Sequence, residues 1–249
     1  MNAKPWMCGL SFLGLLACVE QPLGYCQVAQ QSQQAHFAVY EPIVPMGAGC
    51  KAAELITERI SFETYQLPGK DEISIAWRTD TLQKLFDEAR EAEDWSYPEA
   101  QKESLTLNVH VDYSSKPDKE NRCYILDKSN PAAPQSIRRH SKTFGDTTYH
   151  YDWKNMVVYS MPASPGQLVE GEVTFSVEKK GAPACQGSYR FVALWPAYAC
   201  DADEDCAPSV GGKEGSPLNP DFADALACHP AGYCTVTRPP AELIQKLSR

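Results

Sequence analysis

An alternation of apolar and polar residues with a period of two constrains this chain more than any other feature. It is clearest over residues 104–113, where leucine, valine and tyrosine alternate with threonine, asparagine, histidine and aspartate. Such alternation is typical of a β-strand with one buried and one solvated face. The same pattern, or a short apolar run, predicts strands at residues 60–67, 73–77, 122–126, 149–153, 156–161, 173–177 and 189–195.

These segments predict an all-β fold, an antiparallel two-sheet β-sandwich over residues 41–196. The polar face of each strand argues against a parallel sheet covered by helices on both sides. One amphipathic helix is expected from Asp80 to about Trp95, because its apolar residues fall on a single stripe. A Cys-rich, acidic and disulfide-rich C-terminal segment is expected over residues 197–249, with a short helix that starts near Pro240.

Composition limits the partners of the chain. The 249 residues include 32 acidic and 23 basic side chains, so the formal net charge is -9. A negatively charged protein is repelled by a phosphate backbone, and we therefore expect no nucleic-acid partner. No apolar run in the sequence reaches the roughly 18 residues that a membrane-spanning helix requires.

The first residues are predicted to be a targeting segment. Lys4 precedes an apolar stretch over residues 6–17, as in a secretory signal peptide. The end of this stretch, Leu15-Leu16-Ala17-Cys18, resembles the lipobox of bacterial lipoprotein signal peptides. The resemblance covers residues 1–18 only. An ordinary secretory signal peptide whose cleavage site lies near a cysteine is the alternative.

The resemblance implies that residues 1–17 are cleaved as a signal peptide and that Cys18 is the site of lipidation, with a diacylglyceryl group on its sulfur and a fatty acid such as palmitate on its amine. It implies a lipid-anchored protein of the bacterial cell envelope, periplasmic or surface-exposed. Since Val19 stands where the family places an inner-membrane retention aspartate, the outer membrane is expected. Residues 18–40, which include a Gln-rich stretch, are expected to form a tether.

Eight cysteines remain once Cys8 is removed with the signal peptide and Cys18 is assigned to lipid. An even number in an oxidising compartment predicts four disulfides. The expected pairs are Cys26 with Cys50, Cys123 with Cys185, Cys200 with Cys206, and Cys228 with Cys234. A ladder that joins Cys200 to Cys228 and Cys206 to Cys234 is an alternative, and zinc coordination by the clustered cysteines is another.

Alternating carboxylates in the C-terminal segment suggest a metal site. They resemble the start of a calcium loop, but the turn glycine and the bidentate glutamate of an EF-hand are replaced by Cys206 and Gly212. We expect no cofactor other than calcium, and a solvated acidic loop is the alternative. The candidate calcium ligands are Asp201, Asp203 and Asp205.

Three aromatic residues, Tyr149, Tyr151 and Trp153, share one face of a predicted strand. If that face is outward, the rings form a platform for a glycan or for an envelope protein. If it is inward, they belong to the core, and the more polar opposite face with His150 and Asp152 favours this alternative.

The sequence favours an envelope lipoprotein with a binding or structural role. It contains no nucleophile elbow, no phosphate-binding glycine loop and no paired-histidine zinc motif. The alternative is an envelope hydrolase that acts on glycan or peptide, with carboxylates or a metal at the sandwich edge. Its candidate residues are His110, Asp112, His150 and Asp152. Glu170 and Glu172 flank a glycine and are predicted to lie in a turn.

Overall fold

Antiparallel strands dominate the part of the chain that this computed structural model describes. The described residues are 26–29, 34–66, 73–91, 112–113, 116–126, 134–139, 146–161, 164–209 and 215–247. Within these ranges the strands are β1 (His36–Val44), β2 (Thr57–Gln66), β3 (Ile73–Thr79), β4 (Asp112–Tyr113), β5 (Arg122–Tyr124), β6 (Gln135–Arg139), β7 (Thr147–Met161), β8 (Ser164–Lys179), β9 (Cys185–Leu194), β10 (Leu226–His229) and β11 (Tyr233–Val236). The α-helices are α1 (Asp80–Glu91) and α2 (Pro240–Leu247).

Nine strands form one curled antiparallel sheet in the order β4-β3-β2-β1-β9-β8-β7-β5, and β6 also pairs with β7. Strands β10 and β11 form a separate hairpin. The all-β class is confirmed, but the expected two-sheet sandwich is wrong. Pairing continues without a break through β1, β9 and β8, so a single sheet that bends over its own core supplies the faces that two sheets would supply.

Aromatic side chains fill the inner face of the sheet, and the curl of the sheet brings its two ends together over them. Trp77 on β3 and Trp153 on β7 are five strands apart, yet their ring centroids lie 6.2 Å from each other. The buried side chain of Gln135 on β6 accepts a hydrogen bond from the indole N–H of Trp153 at 2.8 Å and donates one to the carbonyl of Trp77 at 3.3 Å. One amide therefore joins the two approaching ends of the sheet.

A β-bulge in β7 changes which residues face this core. The pairing with β8 shifts register between Lys154 and Val157, and Asn155 adopts φ 49°. Before the bulge, odd-numbered residues such as Trp153 face inward, whereas Met156 faces inward after it. The two strands expected at residues 149–153 and 156–161 are therefore one strand.

The C-terminal segment covers part of the outer face of the sheet. Phe37 on β1 stacks on Tyr233 of β11 with ring centroids 4.9 Å apart. The segment and the outward residues of β7, β8 and β9 share a second apolar cluster, which includes Val157, Tyr159, Met161, Leu168, Leu194, Leu218, Phe222, Ala225 and Leu243. The sheet is therefore buried on both faces in this region.

The eight cysteines form four disulfides, as expected. They are Cys26–Cys123, Cys50–Cys185, Cys200–Cys228 and Cys206–Cys234. In the C-terminal segment the ladder forms and the expected local pairs are wrong, because both cysteines of the β10–β11 hairpin reach across to the preceding loop. The zinc alternative is also wrong, since the sulfurs of this region are consumed in disulfides.

The other two expected pairs, Cys26 with Cys50 and Cys123 with Cys185, are also wrong. Cys26 reaches Cys123 because the N-terminal segment docks beside β5. Cys50 reaches Cys185 because the 3-10 helix Ala48–Ala53 packs at the start of β9. Each bond thus joins parts of the chain that only the folded sheet brings together.

Strand β1 lies at the centre of the sheet, between β2 and β9. The tether expected over residues 18–40 therefore overlaps the fold, because β1 starts at His36. Its outward Phe37 and inward Ala38 are both buried, so the strand lacks the alternation that marks a half-solvated strand. Residues 26–29 also lie against the sheet, where the N–H of Ala29 donates to the carbonyl of Gly166 at 3.0 Å.

The expected helix at Asp80 is confirmed, and α2 starts at Pro240 as expected. The hydroxyl oxygen of Thr79 accepts a hydrogen bond from the N–H of Leu82 at 3.3 Å, so the residue before Asp80 caps α1. Residues 92–95 lie outside the described residues. Of the strand expected over residues 104–113, the described part is β4, which pairs with β3.

Replacing Gln135 by leucine should lower the free energy of unfolding by about 2 kcal/mol, because the buried Trp153 N–H loses its acceptor. Urea denaturation measures this change. Gln186→Leu, at an exposed position of β9, is the matched control and should change stability by less than about 0.5 kcal/mol. An equal loss of unfolding free energy in the two variants would show that the hydrogen bonds of Gln135 do not stabilise the fold.

Candidate functional site

A groove runs along the outer face of the sheet beside the C-terminal segment, with a cavity volume of about 430 Å³. Its floor comes from β1, β9, β8 and the bulge of β7, and its wall comes from residues 235–240. The lining residues are Val39, Glu41, Asn155, Glu170, Gly171, Glu172, Arg190, Phe191, Val192, Thr235, Val236, Thr237, Arg238, Pro239 and Pro240. Such a cleft between two structural units is a common position for a binding site.

A row of charged side chains crosses the floor of the groove. Glu41 on β1 lies opposite Arg190 on β9, and Arg190 lies opposite Glu172 on β8. Directly opposed residues of neighbouring strands have Cβ atoms about 5 Å apart, so long side chains at these positions can meet. All three lie on the outer face of the sheet, in a region that the C-terminal segment does not cover.

Two of the carboxylates are oriented by partners on β7. Glu170 accepts a hydrogen bond from the hydroxyl of Tyr159 at 2.5 Å. Burial and the neighbouring Glu170 raise the pKa of Tyr159, so the phenol keeps its proton and remains a donor. Glu172 accepts from the side-chain amide of Asn155, the bulge residue, at 3.2 Å.

The turn expected at Glu170 and Glu172 is wrong, because both residues lie within β8. Gly171 between them faces the inner core, where an added Cβ atom would lie 2.8 Å from the ring of Phe191. The glycine is thus explained by close packing rather than by a turn. The sequence shows that the two glutamates are two positions apart, either side of Gly171, but it predicts neither their strand nor the groove above them.

The groove offers several carboxylate acceptors and a guanidinium beside a wall of mixed apolar and polar residues. Arg238 at the rim forms an ion pair with Asp224 at 3.4 Å, so its charge is partly balanced outside the groove. The three glutamates on the floor therefore outweigh Arg190. This arrangement suits an elongated ligand that carries hydrogen-bond donors or positive charge.

A buried acid lies where β2 meets α1. Glu58 is 8% exposed and accepts a hydrogen bond from the hydroxyl of Tyr40 at 2.5 Å. Burial raises the pKa of Glu58 to about 7, although hydrogen bonds from the hydroxyls of Tyr40, Thr81 and Thr79 oppose this shift. Glu58 is one of the residues that line a surface cavity of about 290 Å³.

Sequence reasoning missed Glu58. Its second carboxylate oxygen, Oε2, has no hydrogen-bond partner among the described residues. The signal was its register, because Glu58 shares the inward face of β2 with the buried Ile60 and Phe62. An acidic residue at an apolar position of a strand indicates either a buried partner or a raised pKa.

Two of the three calcium candidates, Asp203 and Asp205, accept hydrogen bonds from the local backbone. Asp205 accepts hydrogen bonds from the N–H groups of Asp201 and Ala202 at 2.8 and 3.0 Å. Asp203 accepts one from the N–H of Cys228 at 2.8 Å. These contacts hold the acidic loop against β10, and calcium binding by the loop stays a prediction.

One group of potential metal ligands lies within 4.8 Å of one another in the described part of the chain, namely Cys200, Cys206 and Cys234. All three belong to disulfides and therefore lack the thiolate that a metal requires. The compact cluster is a pair of neighbouring cross-links.

The exposed aromatic platform is wrong, and the inward alternative is confirmed. Tyr151 and Trp153 are 0% and 2% exposed, with ring centroids 5.6 Å apart. Tyr149 is half-buried and packs against the same core. The curl of the sheet places these rings under β3, where Trp77 covers them.

The hydrolase candidates do not form a common site in the described residues. His150 Nε2 lies 4.0 Å from a carboxylate oxygen of Glu178, and Asp152 pairs with the lysine two positions along β7 at 2.7 Å. His110 lies outside the described residues, as does the side chain of Asp112.

Comparison with known proteins adds a family to this geometry. The sequence matches the MlpA family over residues 34–196, from the start of β1 to just beyond β9. The chain belongs to the MlpA family. A Myxococcus xanthus protein that carries the name "Putative lipoprotein MlpA" is 28% identical over 225 residues, which cover 86% of each chain. No solved structure matches the chain.

The MlpA match covers the floor of the groove and the buried Glu58, whereas residues 235–240 of the groove wall lie beyond it. No helix within the described ranges is long and apolar enough to span a membrane.

Glu58→Gln should stabilise the protein above about pH 7 and change its stability little near pH 4. The pKa of Glu58 rises from 4.5 to about 7 on folding, so the folded state holds a proton that the unfolded state has lost between these values. Wild-type stability therefore falls as the pH rises through this window, by at most about 3 kcal/mol. Glutamine loses no proton, so its advantage should grow over the same window.

Urea denaturation at several pH values measures this difference. Glu63→Gln, at an exposed position of the same strand, is the matched control. A stability difference between Glu58→Gln and the wild type that does not vary with pH would contradict the raised pKa.

Proposed function

We propose that this protein is a lipid-anchored binding protein of the bacterial envelope, held to a membrane through Cys18. The observation that carries the proposal is the membership of the MlpA family together with the sequence Leu15-Leu16-Ala17-Cys18. The four disulfides support an oxidising compartment. Val19, in place of a retention aspartate, favours the outer membrane.

Replacing Cys18 by serine should move the protein from the membrane fraction to the soluble fraction. Several long acyl chains hold a protein on a bilayer because each buried methylene contributes about 0.8 kcal/mol. Fractionation followed by immunoblotting measures the distribution. Cys8→Ser, which removes a cysteine from the leader without touching the lipobox, is the control, and membrane association that persists in Cys18→Ser would refute the anchor.

The groove is the surface that we assign to binding, and its occupant is an extended basic segment of an envelope protein. Glu41, Glu170 and Glu172 supply negative charge, and Val39 and Val192 supply apolar contact. A glycan would call for exposed rings that stack on sugar faces, and the lining of the groove presents none but the buried Phe191.

The peptide Lys-Val-Lys-Val-Lys should bind the wild type. Glu172→Gln should raise the Kd of this peptide about two- to fivefold, as expected for the loss of a partly exposed charge pair. The binding should also weaken with added salt. Isothermal titration calorimetry measures both effects. Glu178→Gln, an exposed position at the far end of β8, is the matched control and should leave the Kd unchanged.

Two further ligands separate the alternatives. The neutral peptide Gln-Val-Gln-Val-Gln should bind more weakly than the basic peptide, because it lacks the charges that meet the glutamates. Chitotetraose represents a glycan. If chitotetraose binds in the groove and the basic peptide does not, the peptide occupant is wrong and a glycan takes its place.

A further inference from the structure

The N-terminal segment is fixed to one end of the sheet. Cys26 is fully buried and bonded to Cys123, and the N–H of Ala29 donates to the carbonyl of Gly166 near the start of β8. Gly166 has φ +71°, and an added Cβ atom would lie 2.2 Å from the carbonyl oxygen of Gln27. The close backbone contact and the disulfide therefore fix the position of residues 26–29 on the fold.

The chain between the proposed lipid anchor and this fixed point is short. Cys18 and Cys26 are eight positions apart, so their Cα atoms can be separated by about 29 Å at full extension. Strand β8 runs for 16 residues from Ser164, beside the fixed segment, to Lys179 at the far hairpin, which is about 50 Å along the strand. The chain before Cys26 is therefore too short for the molecule to stand upright with the far hairpin on the bilayer, because residues 26–29 would then lie about 50 Å above the surface.

The surface around the Cys26–Cys123 bond carries side chains of the kind that suit a membrane–water interface. Tyr124, the residue after Cys123, is 44% exposed, and the guanidinium of Arg122 lies 5.4 Å from the centre of its ring. The side chain of Lys119 in the preceding turn is 88% exposed and lies 3.3 Å from Glu120, and Arg122 also pairs with Asp118 and Glu120. This end of the fold therefore presents paired charges beside an exposed ring. Amphipathic rings and long basic side chains suit the headgroup region, where one end of the side chain is apolar and the other is wet.

We propose that residues 116–124, the membrane-facing end, rest on the lipid surface, while the β8–β9 hairpin points away from it. This inference depends on the proposed acylation of Cys18 and adds an orientation to it. The bilayer is the occupant because the chain before Cys26 holds this end within about 29 Å of the anchor, whereas the far hairpin lies about 50 Å away along β8.

Energy transfer in proteoliposomes tests the orientation. The acylated full-length protein carries a donor dye at position 119 or 180, attached through a genetically encoded ketone residue so that the four disulfides are undisturbed. Vesicles of phosphatidylethanolamine and phosphatidylglycerol carry the acceptor on their headgroups. Transfer from position 119 should exceed transfer from position 180 at least about twofold, because the tether reaches about 29 Å and β8 is about 50 Å long.

A longer tether is the control. Inserting 20 glycine and serine residues between Val19 and Cys26 raises the maximum reach to about 100 Å, so the difference between the two dye positions should shrink towards zero. The insertion leaves the lipobox and the folded residues unchanged.

Mass spectrometry of the N-terminal peptide separates the two possible failures. An unmodified Cys18 overturns the proposed anchor and the orientation with it. An acylated Cys18 with equal transfer from both positions overturns the orientation and leaves the anchor standing. An acylated Cys18 with stronger transfer from position 180 reverses the assignment of the two ends.

Discussion

The pairing of β1 between β2 and β9 is the constraint on which the rest of the structure depends. Its inward residue Ala38 closes the inner core, and its outward Phe37 receives the C-terminal hairpin. Residues before the strand are fixed beside β8, and Glu41 near its other end enters the groove. Both cores, the N-terminal attachment and the candidate binding surface therefore meet on one nine-residue strand.

Sequence periodicity predicted several strands that have one solvated face, and it failed for β1, where both faces are covered. The alternation in β8 was readable over residues 173–177 because its outward residues there, Thr174 and Ser176, are polar and only half-buried. In β1 the C-terminal segment covers Phe37, so apolar residues occur on both faces and the alternation disappears. Strand β6 gave no signal because Gln135, its buried polar residue, occupies an inward position that periodicity assigns to an apolar side chain.

The candidate site was harder to predict because strand register creates it. Glu41, Glu172 and Arg190 come from distant parts of the chain and become neighbours through the pairing of β1, β9 and β8. Residue types that suggested chemistry locally, such as Asp203, Asp205 and Trp153, instead hold a loop or fill the core. A pattern of residues along a sequence thus predicts local structure better than it predicts a site assembled across a sheet.

The two long-range disulfides connect the stability of the fold to its surroundings. Cys26–Cys123 spans 97 residues and Cys50–Cys185 spans 135, so each restricts the unfolded chain by about 4–5 kcal/mol in the chain-entropy description. Together these contributions are comparable with the whole stability of an ordinary domain, about 5–15 kcal/mol. Under reducing conditions the chain lacks this stabilisation and unfolds more easily, so the persistence of the folded state depends on an oxidising environment.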